Sequence, residues 1–167
     1  MSSPMSIPRT RKRTGTSVAL MVGALAVTGL ALAPTALAVT PATATIDADC
    51  GGLGSGAATL TATQNGSAAT VTLTSTDITA PVALGADSIA ATLTLTKAGG
   101  GTVTFSGTEN PAMNTGDPVT VGPLNGRVAS GDRLEAFGGE LRMTIWGFIT
   151  LTCTATAPQS PGPFVFD

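Results

Sequence analysis

From residue 57 onward the chain alternates threonine with small or branched aliphatic residues at every second position, and this period constrains its fold more than any other feature. Residues 58–63 read ATLTAT and residues 69–74 read ATVTLT. The pattern returns as ATLTLT at 91–96, TVTF at 102–105 and ITLTCT at 149–154. Successive side chains of a strand point to opposite faces, so each run predicts a half-buried strand with its hydroxyls outward. Thr and Val are β-branched and suit a pleated surface. No stretch after residue 38 sustains a helical period.

Glycine and proline punctuate the runs. Asn65-Gly66 predicts a tight hairpin between the first two, and residues 97–101 (KAGGG) a looser one. Gly138-Gly139 is read as a turn separating residues 133–137 (RLEAF) from residues 140–145 (ELRMTI). Residues 110–127 are the least regular and are expected to hold long loops. About seven to nine short strands with frequent turns describe an all-β protein, an antiparallel β-sandwich of immunoglobulin-like or related Greek-key type. The expected division is a signal peptide over 1–38, a flexible leader over 39–49, the sandwich over 50–157 and a Pro-rich tail over 158–167.

The first 38 residues have the plan of an export signal. Arg9, Arg11, Lys12 and Arg13 form a basic start, an apolar stretch runs over residues 18–33, and Ala36-Leu37-Ala38 offers the small-x-small cleavage pattern after Pro34. Cleavage after Ala38 would leave four basic residues (Lys97, Arg127, Arg133, Arg142) against ten acidic ones, a net of −6. Such a surface is unsuited to nucleic acid or to anionic lipid, both of which require clustered cations. An exported chain with two cysteines is expected to join them, here Cys50 to Cys153 across 103 residues.

Chemistry has few candidates. The chain has no histidine and no tyrosine, which excludes Ser-His-Asp and Cys-His catalysis, and two cysteines without histidine make no ordinary zinc site. Gly52-x-Gly54-x-x-Ala57 fits a dinucleotide fingerprint in spelling but leads into a strand where that site needs a helix. Asp47-x-Asp49 reads as solvated charge. Lys97 beside a glycine-rich turn is expected to be solvated too. Asp132, Glu135 and Glu140 are the nearest carboxylate cluster for a hydrolase, read in the first instance as surface charge. Trp146 with Phe148 is the candidate ligand contact: a surface Trp stacks on a sugar ring or anchors a partner, although a core role is the default for a single tryptophan.

An export signal followed by an Ala/Thr/Gly-rich β domain bracketed by an early and a late cysteine resembles small secreted β-sandwich proteins of actinobacteria. The resemblance covers layout and composition, and it implies location more than activity. The expectation is a non-catalytic secreted or envelope-associated protein without a cofactor. Its partner would be cell-wall polymer, glycan or extracellular protein, met through Trp146, Phe148 and residues 110–127. A self-assembling structural subunit and a small carboxylate hydrolase are the alternatives.

Overall fold

In the computed structural model, which describes residues 39–167, each alternating run becomes a strand. In chain order the strands are β1 (Val39–Thr40), β2 (Thr43–Asp49), β3 (Ser55–Asn65), β4 (Ala68–Thr79), β5 (Ile89–Lys97), β6 (Thr102–Gly107), β7 (Pro118–Arg127), β8 (Arg133–Ile145), β9 (Ile149–Ala155) and β10 (Phe164–Phe166). The expected export signal over 1–38 lies outside the described residues.

Neighbouring strands run β8-β5-β6-β7-β4-β3-β2-β9, all antiparallel, and β9 pairs back onto β8. The sheet is therefore an eight-stranded barrel, which corrects the expected sandwich. Period-two alternation states only that one face is buried, and two facing sheets or one sheet closed on itself satisfy it equally. Closure is decided by β8. It is 13 residues long, carries β5 along one edge, and along the other carries β10 at Leu134 and then β9 from Phe137 to Ile145.

The expected leader and tail are also part of the folded unit. β2 is a barrel strand with its Ala44, Ile46 and Ala48 buried, so residues 39–49 are not a flexible arm. The tail ends in β10, where Phe164 and Phe166 are fully buried and meet edge-on at 6.5 Å. Burial of each such ring contributes about 2 kcal/mol. β1 pairs with β10, and the two cover the barrel end that also holds the Gly66 and Gly100 turns. Residues 110–127 are not loop throughout, since Pro118–Arg127 is β7.

The interior is filled by side chains. Leu60, Val71, Leu95, Phe105, Val121 and Leu124 are fully buried, and alanines occupy the narrower positions. A cavity of about 30 Å³ remains beside Ile46, Leu73, Leu93 and Met143, room for one water molecule. Small-molecule sites are about ten times larger or more, so the barrel interior is a core and not a carrier cavity.

Gly138-Gly139 forms no turn. β8 runs through it as a bulge: Thr94 pairs with Glu140 but Thr96 with Glu135, and the Thr96 hydroxyl donates to the carbonyls of Glu135 and Phe137 at 3.1 and 3.0 Å. A Cβ at Gly139 would overlap the Thr94 carbonyl oxygen, a backbone atom that cannot step aside. Gly139→Ala is therefore expected to destabilise the protein by about 3 kcal/mol in urea unfolding. Gly138 has φ +81°, and a Cβ there would make only an ordinary contact with the Thr96 methyl at 3.5 Å, so Gly138→Ala should lose only about 1 kcal/mol. Equal losses at the two positions would contradict the clash.

Candidate functional site

The hairpin between β8 and β9 turns at Trp146-Gly147-Phe148. Trp146 has φ +52° and Gly147 φ +80°, two consecutive left-handed residues, and the Phe148 N–H donates to the Ile145 carbonyl at 3.2 Å. This is the arrangement of the tight turns whose twist matches a β-hairpin, and their first central position favours Asn, Asp or Gly. A bulky residue there costs about 1 kcal/mol. Trp146 nevertheless occupies it, with 47% of its surface exposed, so the core role expected by default is corrected. Phe148 is 74% exposed, and the two rings stack with centroids 6.2 Å apart at an interplanar angle of 30°. Ile149 extends the apolar patch.

A stitched platform of loops supports this tip. Residues 80–88 and 108–117 lie at the same end of the barrel as the β8–β9 turn. Leu84 and Met113 exchange backbone hydrogen bonds of 2.8 and 2.9 Å, and Ala80 bonds to Asp117 and Gly116 at 2.9 and 2.8 Å. Asn110 lies buried between the two loops. Its Oδ1 accepts from the N–H groups of Ser88 and Ile89 at 2.8 and 2.9 Å, and its Nδ2 donates to the carbonyls of Gly85 and Pro111 at 2.8 Å each. The Trp146 N–H then donates to Ser88 at 3.2 Å, so one buried amide holds the segment on which the aromatic tip rests. The sequence marked this region only as irregular. A lone Asn before Pro111 carries no signal that separates a structural amide from a turn residue.

The charged candidates have structural partners. Lys97 is not simply solvated: its ammonium meets Asp132 at 2.8 Å. The Asp132 carboxyl is held below the usual carboxylate range, first by the Ala129 N–H that donates to it at 2.9 Å and then by Lys97. Glu135 Oε1 accepts from the N–H groups of Gln159 and Ala136 at 2.8 and 3.1 Å. Asp132, Glu135 and Glu140 belong to the β7–β8 connection and β8 and are not gathered around an open cleft. Asp49 Oδ1 accepts from the Gly51 N–H, and the glycines after Cys50 form a three-residue 3-10 turn leading directly into β3.

Cys50 and Cys153 are bonded to each other, as the sequence requires, with Cα atoms 4.0 Å apart. The bridge does not cross a sandwich core. It continues the β2–β9 ladder, which has only the rungs Ala48↔Ala155 and Asp49↔Thr154. On the far side of the barrel β6 and β7 meet in only two rungs, Phe105↔Gly126 and Ser106↔Asn125. The ring thus has two short seams, one fastened covalently and one open as a surface groove of about 790 Å³. Neither family models, curated proteins nor solved structures give a match to the chain.

Proposed function

We propose that the protein is a non-catalytic exported binding module that contacts a cell-wall polymer or other glycan through Trp146 and Phe148. One observation carries the reading: an exposed, stacked aromatic pair sits on a turn whose backbone conformation disfavours tryptophan. Strain kept at a residue that adds nothing to the core points to a role in contact. Aromatic faces of this kind stack on the apolar faces of sugar rings. The covalently closed barrel and its amide-stitched platform hold the pair rigidly, which lowers the entropy lost on binding. The engagement of Asp132 and Glu135 in structural bonds favours binding over hydrolysis, and the disulfide accords with an oxidising, extracellular setting.

The test is co-sedimentation of the purified oxidised protein with isolated cell walls, comparing wild type with Trp146→Asn. Asparagine tolerates the left-handed region, so this variant is expected to be as stable as wild type or about 0.5–1 kcal/mol more stable. It should nevertheless lose about tenfold or more in wall affinity, the loss typical of a truncated aromatic anchor. Unchanged pelleting by a fully folded Trp146→Asn protein would end the proposal.

A further inference from the structure

The open seam between β6 and β7 is a second candidate site. The β6–β7 ladder stops at Phe105, while β6 continues back to Thr102 paired only with β5. Main-chain groups alternate sides along a strand: Val103 turns its own to Leu95 of β5, while the N–H groups of Thr102 and Thr104 face the groove without a ladder partner among the described residues. Thr102 and Thr104 are exposed, as is Asn125 on the opposite wall. Val103 and Ala69 line the apolar floor. The Phe105 ring packs so closely under Gly126 that a Cβ there would overlap it, which seals the gap from the core. The groove volume of about 790 Å³ lies within the range of sites that hold a ligand.

The charges around this groove run against those of the molecule. No carboxylate lines it, although ten acidic residues lie in the described part of the chain. Lys97 and Arg127 both line it. Lys97 is neutralised by Asp132, whereas Arg127 forms no ion pair among the described residues and reaches only the Ser67 hydroxyl at 3.5 Å.

We propose that this seam takes an extended acidic peptide as an added strand, hydrogen-bonded to the free edge of β6 and with a carboxylate toward Arg127. An exposed strand edge is a template for a further strand, which gives affinity through the main chain and specificity through alternate side chains. A glycan would leave the unpaired main chain of β6 without regular partners, so the edge favours a peptide. The site lies on the barrel wall toward the end opposite Trp146, and the proposal stands or falls apart from the wall-binding one.

The experiment uses an array of capped hexapeptides that alternate valine with glutamate, glutamine or lysine, probed with the oxidised full chain. A hexapeptide spans about 20 Å when extended, enough to cover the free run of β6. The glutamate series is expected to bind best. N-methylation of its alternate amides should weaken binding about tenfold, because it removes the strand hydrogen bonds while leaving charge and side chains intact. Arg127→Gln should weaken the glutamate series about fivefold and leave the glutamine series unchanged. On binding, the amides of Thr102 and Thr104, which face the groove, should gain protection from hydrogen exchange, and those of Val103, already bonded to β5, and of the β8–β9 turn should not. The proposal is overturned if no series binds saturably, if N-methylated peptides bind equally, or if protection appears only at the turn. Binding of an acidic oligosaccharide at the groove with every peptide silent would overturn it as well.

Discussion

Removal of the disulfide, as Cys50→Ala with Cys153→Ala, is expected to lower stability by about 4 kcal/mol, the largest loss for any change considered. Two arguments combine. The bridge closes 103 residues, nearly the whole barrel, and so restricts the unfolded chain strongly. It also lies at one of the two seams of the ring that only two rungs hold. β2 is paired with β3 over seven rungs and β9 with β8 over six, whereas β2 and β9 share two, supported by the Thr156 N–H donating to the Asp47 carbonyl at 2.8 Å. Without the bridge the barrel should open between β2 and β9 before the neighbouring β2–β3 and β8–β9 ladders part. Urea unfolding of oxidised and cysteine-free protein measures the loss, and native-state hydrogen exchange locates it. Protection should fall first at Thr154 and Thr156 while the β3–β4 amides keep theirs. A loss below about 1 kcal/mol would mean that the closed loop adds little and that the ladders alone secure the ring.

The second large effect is expected at Asn110. Its side chain makes four hydrogen bonds to four different backbone groups, and it is itself buried. Asn110→Ala removes all four and leaves two N–H groups and two carbonyls facing a cavity the shape of an amide. Each orphaned buried group costs about 1–3 kcal/mol, less where water can enter, so a total loss of about 3 kcal/mol is expected. The Ile89 N–H is in buried surroundings and Ser88 is part-exposed, so exchange at Ile89 should show the larger change. The effect should also reach the aromatic tip, because Trp146 is hydrogen-bonded to Ser88. Trp146 is the chain's single tryptophan, so its fluorescence reports the tip directly. A shifted emission together with lowered wall affinity would mark Asn110 as a positioning residue. A stability loss with unchanged emission would confine its role to the loops.

Legibility in the sequence followed the range of the interaction. Which residues form β3, β4, β5, β6 and β9, and which of their faces points inward, could be read from alternation, because the period of a strand is local. Asn65-Gly66 was nearly right: Asn65 pairs with Ala68, so the two turn residues are Gly66 and Ser67, one position further on. The turn expected at Gly138-Gly139 is displaced along β8. Gly138-Gly139 has the stronger local turn composition, but the Thr96 hydroxyl and two neighbouring strands hold it as a bulge. The turn falls instead at Trp146-Gly147, where β8 runs out of partners on β5. Long-range pairing outweighed local preference there.

By itself, then, the sequence determined an all-β chain, the identity and inward face of most strands, and the partnership of its two cysteines. The tertiary structure decided that the sheet closes on itself, that residues 39–49 and 164–166 belong to the folded unit, and that the lone tryptophan faces solvent. The physical reason is common to all three. Alternation specifies a buried face but not which strand lies beside which, and closure, docking of the ends and exposure at a turn are properties of neighbours.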